Sequence, residues 1–419
     1  MKKASLPLKL MLILHRIFLA IFYLLLKSTV GFYIWLRYRP KYIIPKEVRR
    51  LRTPYLVLAD HVHILDPFFN GQFIRPVIHW VAADANFRTP FMKFAMTVLA
   101  GSIAKTKNRS DMVTLSRMKL LADLGCVIGV YQEGERSWDG VNLPPVPGTD
   151  KLIRFLKIPV VYIHLEGAYL DQPRWSWTNN RGKITLRYEV LIEREEAKTL
   201  NLSEIAERMK RAGSYDEWAL SEEQGLIYPG KKRAENCELV CFTCPSCGGV
   251  NTLRSEGNRF YCNSCGVKGD VDDKMRFQWN SEGTDLKEEH RFAHVREWNL
   301  WQKDYYRRLI EEHDGEEFLF WEDRYTVNLS RGKRGRAMKE IGTGSARLYN
   351  DRIEFESESQ KIVMPLGNVS SFSVFKQQFT EFYYDRNLYR FAFTNRSVSG
   401  YKWLMLFRLI TEFNREKSR

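Results

Sequence analysis

The stretch Tyr55-Leu-Val-Leu-Ala-Asp60-His61-Val-His63-Ile-Leu-Asp66-Pro67-Phe-Phe69 changes character twice. Its first five residues, apolar and of high β propensity, read as a strand. The Asp-His-Val-His segment reads as a polar loop, and Asp66 followed by Pro67 predicts an N-cap and N1 pair that opens a helix. Working outward, apolar runs recur at 77–83, 126–131, 158–165 and 184–192, and segments of helical period fall at 67–75, 89–100, 111–124 and 149–157. Ser110 is the expected N-cap of the third helix and Gly125 its stop. Strand, helix, strand, helix in this order predicts an α/β layer with a largely parallel sheet.

At 419 residues the chain exceeds the roughly 250–300 residues over which one core keeps growing. Five stretches are expected: membrane-associating helices over 1–45, the α/β domain over 46–228, a cysteine-rich module over 229–282, a linking helix over 283–314 and a β-rich domain over 315–419. In the linking helix Trp298, Trp301, Tyr305 and Leu309 recur at three or four residues and predict one apolar packing face. Short alternating strands then run to a closing amphipathic helix at 401–415. Six or so short antiparallel strands capped by one helix resemble a pleckstrin-homology or GRAM-like domain.

The net charge is +15. Its placement carries more information than its size, because residues 1–50 hold eleven Lys or Arg against the single acid Glu47. Those cations flank and interrupt an apolar run, residues 5–36, which Lys9, Arg16 and Lys27 divide into pieces shorter than the roughly 20 residues of a membrane span. An interfacial or re-entrant helix pair on an anionic lipid surface is the favoured reading, ahead of a true span with Lys27 snorkelling. No small-residue cleavage site follows, so the segment is expected to be retained on the cytoplasmic side. The Leu, Ile and Phe density between the charges argues against nucleic acid as their partner.

Cys244-Pro-Ser-Cys247-Gly and Cys262-Asn-Ser-Cys265-Gly are two knuckles fourteen residues apart. Four thiolates so spaced suit tetrahedral Zn²⁺, and with every position taken by sulfur the metal is expected to be structural. Cys241 competes with Cys244 for the first knuckle, and Cys237 is surplus. Cys126 lies in an apolar strand, where a buried inert thiol is expected.

An imidazole beside a carboxylate at the end of a strand suits a general base with an orienting partner. Taken alone, His61 and Asp66 are only weakly diagnostic and better suit a solvated ring and a capping acid. Three further segments bear on this: Gly101-Ser-Ile-Ala-Lys105-Thr-Lys107, Tyr131-Gln-Glu133-Gly134-Glu-Arg136-Ser137 and Ile158-Pro159-Val160-Val161. In order and spacing the four blocks, spanning about residues 50–195, resemble the glycerophosphate and lysophosphatidate acyltransferase family. The resemblance implies that His61 takes the proton from an acceptor hydroxyl attacking an acyl-CoA or acyl carrier protein thioester, with Asp66 holding the ring. It further implies that Glu133, Gly134, Arg136 and Lys107 bind the phosphate of a lysophosphatidate-like acceptor at a membrane. Asp60 stands where the family commonly has Asn, His63 where it has a small polar residue, Lys107 for Arg and Gln132 for Pro.

The competing expectation is a non-catalytic membrane adaptor whose zinc ribbon and C-terminal domain, with the cationic Arg331, Lys333, Arg334 and Arg336, recruit a partner or nucleic acid. A narrower one is an enzyme acting on an acceptor that is not a glycerolipid.

Overall fold

The computed structural model describes residues 6–105, 112–280 and 285–417, with side chains from residue 14 onward in the first stretch. Lys107 and the expected cap at Ser110 lie outside the described residues. The chain divides into two compact units, one running to Asp171 and resuming over Arg181–Leu226, the other made of Gln172–Asn180 and Ile227–Arg419.

In the first unit, strands β1 (Lys41–Ile43), β2 (Tyr55–Ala59), β3 (Ile78–Ala83), β4 (Ile103–Lys105), β5 (Val127–Tyr131), β6 (Val160–Glu166) and β7 (Thr185–Ile192) form one sheet. Its order is β1-β7-β6-β2-β5-β3-β4. The five strands from β6 to β4 in that order run parallel, as the alternating pattern predicts, and β7 pairs antiparallel with β6. Helices α1 (Leu6–Tyr38), α2 (Lys46–Arg50), α3 (Asp66–Gly71), α4 (Pro90–Phe94), α5 (Met112–Asp123) and α6 (Thr149–Leu156) lie between or before the strands, and a π turn over Ala95–Leu99 continues α4. Every residue of β2 is buried, as expected for a central parallel strand covered on both faces. One face of the sheet, with Leu56, Leu58, Ile128 and Val160, shares a core with Met118 of α5, Ile153 of α6 and Met209 of the Leu202–Gly213 helix. Gly125 ends α5 in the left-handed region, with φ +74°.

The N-terminal segment departs from expectation. It forms one continuous helix of 33 residues instead of a pair. Beyond Pro7 it holds no helix breaker except Gly31, and the charges do not interrupt it. The Lys27 ammonium donates to the Ile74 carbonyl, and Arg16 is exposed.

The second unit opens with a four-stranded antiparallel sheet, β8 (Leu253–Glu256), β9 (Arg259–Cys262), β10 (Lys268–Val271) and β11 (Phe277–Asn280). After the helix Val295–Glu312 comes a seven-stranded antiparallel sheet of β12 (Leu319–Gly332), β13 (Lys339–Tyr349), β14 (Arg352–Glu356), β15 (Lys361–Pro365), β16 (Val369–Phe375), β17 (Phe379–Tyr384) and β18 (Asn387–Phe393), in the order β15-β14-β13-β12-β18-β17-β16. The Gly400–Lys417 helix closes it.

The buried face of the Val295–Glu312 helix is also shifted from the expected stripe. It consists of Val295, Trp298, Asn299, Gln302, Tyr306 and Ile310, whereas Trp301, Tyr305 and Leu309 are only half-buried. The two amides are inside because backbone and side-chain groups need them. Gln302 accepts the Thr243 N–H at 2.8 Å and donates to the Val240 carbonyl at 2.9 Å, and Asn299 donates to the Tyr401 hydroxyl at 3.0 Å.

A buried ion pair ties the same unit together. The Lys402 ammonium, fully buried, donates to Asp323 at 2.7 Å and to Asn251 of the cysteine-bearing segment at 3.0 Å, and the Trp403 indole donates to the other Asp323 oxygen at 2.8 Å. Removing one partner of such a pair leaves an uncompensated charge in the core. Lys402→Met is therefore expected to destabilise this unit by about 3–5 kcal/mol, measured by urea unfolding with tryptophan fluorescence. A midpoint within error of the parent would contradict it.

Candidate active site and cysteine cluster

β2 and β5 are paired through Ala59 and Tyr131, so the loops that follow them leave the sheet side by side at its C-terminal edge. This is where open α/β sheets place their ligands. The first loop carries His61 and the second Glu133, Gly134 and Arg136.

Asp66 is fully buried, and its oxygens are engaged by three donors. Oδ2 accepts from the His61 Nδ1–H at 2.7 Å and the Val62 N–H at 2.9 Å, and Oδ1 accepts from the His63 N–H at 2.8 Å. The expected N-cap is thus corrected: Asp66 is the first residue of α3, preceded by Leu65 at the N-cap, and its carboxylate folds back onto the loop instead of capping the helix. Burial pushes its pKa well above the ordinary value, while the loop amides and the Arg136 guanidinium pull the other way. With Nδ1–H committed to this carboxylate, the second nitrogen, Nε2, is the basic one. The His61 side chain is 26% exposed.

The two loops are bonded to each other through the backbone of His61. Its N–H donates to Glu133 Oε1 at 3.1 Å, and its carbonyl accepts the Ser137 N–H at 3.2 Å. Glu133 Oε2 accepts the Leu143 N–H at 2.9 Å, and the residue is buried. Its carboxyl is raised well above the usual range by burial, with Asp60 and Asp66 adding to the rise. Both oxygens therefore face backbone amides. Gly134 is exposed with φ +70°, and a Cβ there would meet Val146 Cγ2 at 2.8 Å. Arg136, half-buried, lies within electrostatic reach of Asp66 and His63, and burial lowers its pKa against the pull of Asp66.

Asp60, read from the sequence only as a departure, turns out to be buried and fully engaged. It accepts from Tyr162 Oη at 2.7 Å, Asn142 Nδ2 at 2.7 Å and the Leu165 N–H at 3.0 Å. His63, the rival base, is buried. Its Nδ1 accepts the Leu65 N–H at 3.0 Å, and burial, with Arg136 and Arg37 adding, depresses its pKa to about 3. It stays neutral and turned into the fold. Gly101 opens β4 with φ +60°, and its carbonyl accepts from His79 Nδ1 at 2.8 Å. Burial pushes the Cys126 thiol up, in keeping with an inert side chain.

In the second unit Cys244, Cys247, Cys262 and Cys265 come together, with their sulfurs all within 4.8 Å of one another. Cys244 and Cys265 are 3.6 Å apart, and Cys247 and Cys262 3.8 Å. A tetrahedron with metal–sulfur bonds of about 2.3 Å has an edge of about 3.8 Å, so the four donors suit a thiolate-loving tetrahedral ion. Each knuckle closes through its glycine, Gly248 N–H on the Cys244 carbonyl and Gly266 N–H on that of Cys262. Cys237 and Cys241 are buried and outside this set.

Comparison with known proteins bears on the first unit. Residues 40–165 match the family described as Acyltransferase, a span that takes in His61, Asp66, Gly101, Glu133, Gly134, Arg136 and Pro159. No curated protein matches. Among solved structures the chain is similar to the 1-acyl-sn-glycerophosphate (LPA) acyltransferase PlsC from Thermotoga maritima, at 18% identity and a TM-score of 0.37, over 44% of this chain and 73% of that one. It is also similar to the Vps36 N-terminal PH domain, at 14% identity and a TM-score of 0.19, over 24% of this chain and 83% of that one. Residues 40–165 carry an acyltransferase-family domain, and acyl transfer is the activity that this match supports.

Proposed function

We propose that the chain moves a fatty acyl group from acyl-CoA or acyl carrier protein to the hydroxyl of a lysophosphatidate-like acceptor. The observation that carries this reading is the His61 imidazole held at 2.7 Å by a buried carboxylate, on a loop bonded to the one that bears Arg136. In the step, His61 Nε2 removes the hydroxyl proton as the oxygen attacks the thioester carbonyl. The C–O bond forms, the C–S bond breaks, and the imidazolium returns the proton to the leaving thiolate. Asp66 fixes the tautomer and stabilises the charged ring. Glu133 holds the His61 and Leu143 backbones, so we assign it to positioning and leave the phosphate to Arg136, Lys107 and the open backbone at Gly134.

If so, Arg136→Ala raises the KM for lysophosphatidate by about tenfold to a hundredfold, the worth of a lost charge-assisted hydrogen bond, and Arg136→Lys recovers only part of it. The measurement compares lysophosphatidate with its dephosphorylated monoacylglycerol as acceptors. Equal loss on both would remove the phosphate role of Arg136.

Membrane association of the first unit is best read as interfacial. His15, Leu19, Tyr23, Lys27, Gly31, Ile34 and Tyr38 make a stripe along α1, and its contacts recur along that stripe: His15 Nε2 with the Val98 carbonyl at 3.2 Å, Lys27 with Ile74, and the Tyr38 ring against His63 and Phe69. From His15 to Tyr38 the helix is about 35 Å long, more than the roughly 30 Å of a hydrocarbon core. A helix docked over that length cannot cross a bilayer without carrying the sheet in with it. Its outer face is apolar, with Ile21, Leu24, Phe32 and Trp35 exposed, and Phe91 (74% exposed) and Phe94 of α4 offer further apolar surface. We place this face in the headgroup region of the cytoplasmic leaflet, with Ile64, three residues from His61, among its exposed apolar groups.

For the four cysteines we propose a structural zinc ribbon. Zinc bound there would supply no chemistry to the reaction. It would hold the two knuckles, with Thr252 Oγ1 at 3.3 Å from Cys262 Sγ as outer support.

A further inference from the structure

The His61 ring touches more than its carboxylate. It stacks on Tyr131, with centroids 4.1 Å apart and planes 17° off parallel, and Tyr131 stacks in turn on Trp80 at 4.7 Å and 7°. The strands explain why the column can form. Trp80 of β3 is in register with Gly129 of β5, and Gly129 and Tyr131, two residues apart, face the same side of the sheet. A Cβ at Gly129 would lie 2.4 Å from Trp80 Cε3. Only glycine there lets the indole lie flat across β5 and reach the tyrosine ring.

We propose that Tyr131, backed by Trp80 over the seat left by Gly129, is a positioning residue that holds the face of the His61 imidazole and stabilises the imidazolium formed during acyl transfer. Asp66 fixes the ring only along the edge at Nδ1, which leaves rotation about that hydrogen bond open. A parallel aromatic face removes that freedom and places π density against a developing positive charge. Charged groups on the elements around His61 include Asp66 on Nδ1, Glu133 on its N–H, the adjacent Asp60 with His164 4.0 Å from it, and Arg136 on the following loop, within electrostatic reach of Asp66. Burial holds the Tyr131 phenol protonated, so it serves as a neutral face and not as a second base.

The inference rests on His61 being the base, and the experiment separates the two. The full-length protein is assayed with acyl-CoA and lysophosphatidate in mixed micelles, as the parent, His61→Ala, Tyr131→Phe, Tyr131→Leu and Trp80→Leu, with kcat and KM followed across pH and thermal unfolding recorded for each. Tyr131→Phe keeps the face and is expected to stay within about threefold of the parent. Tyr131→Leu is expected to lower kcat about tenfold with little change in KM, and to move the acid limb of the kcat profile down by about half to one pH unit, because the imidazolium loses its aromatic contact. Trp80→Leu should move the same limb in the same direction by less. A loss of folded protein would lower kcat without moving the limb. An unmoved limb in Tyr131→Leu, or equal behaviour of the Phe and Leu variants, overturns the column alone. Turnover retained by His61→Ala overturns the catalytic reading as well.

Discussion

His61→Ala is expected to lower kcat for acyl transfer by about 10²–10⁴-fold, with the unfolding of the first unit unchanged. The size follows from what the ring is asked to do. A hydroxyl is a poor nucleophile until its proton is taken up, and the two other imidazoles near this edge of the sheet among the described residues are committed elsewhere: His63 is buried with its Nδ1 occupied by a backbone donor, and His164 is paired with Glu189 at 3.1 Å. Asp66→Asn should approach the same loss, because an amide in that place can no longer accept from His61 Nδ1 and from both loop amides at once. Rates for both variants and the parent, with circular dichroism as the control for folding, provide the check. A His61→Ala protein that retains more than about a tenth of parental kcat would contradict general-base chemistry here.

The other large effect is expected in the second unit. Tetrahedral zinc held by thiolates contributes an apparent binding free energy of about 10–16 kcal/mol at neutral pH, as large as the whole stability of an ordinary domain. Cys262→Ser, or prolonged chelation, should therefore unfold the β8–β11 sheet. The loss should not stop there. Thr243, beside Cys244, is bonded to Gln302 and to Trp298, and Asn251, between the knuckles, completes the Lys402–Asp323 pair. Protease resistance of residues 227–419 is expected to collapse as one step, with native mass spectrometry of the parent reporting one bound zinc. A Cys262→Ser protein as resistant as the parent would show that the cysteines carry no structural metal.

The grouping of the candidate residues was legible in residue types and spacing, because His61 and Asp66 lie within one loop of each other and the strand pairing of β2 with β5 brings the loop bearing Arg136 beside it, whereas their roles are the proposal made above. The alternation of apolar runs likewise foretold a parallel sheet, since strands buried on both faces leave few polar positions. What spacing does not carry is the destination of a side chain's lone pairs. Glu133 reads as a ligand-facing acid in its motif, yet both its oxygens meet backbone amides. Asp60 reads as a departure and serves as the acceptor for three donors from distant segments. The Trp80–Tyr131–His61 column needed the register of β3 on β5, which no local pattern encodes. Asn299 and Gln302 broke the apolar stripe of their helix for a similar reason, since partners distant in the chain decide whether a buried amide is satisfied. In α1, Lys27 sits on the docked face and Arg16 is exposed without breaking the helix, which only packing reveals.

Acyl transfer itself can be followed by giving the purified parent protein acyl-CoA or acyl carrier protein thioester together with lysophosphatidate in anionic vesicles, and quantifying free thiol and diacylated phospholipid in the same reaction. The expected result is one phosphatidate formed for each thiol released, with monoacylglycerol a poor substitute for the acceptor. Thiol release without acylated lipid, or no thiol release from either donor, would contradict acyl transfer to a phosphate-bearing glycerolipid.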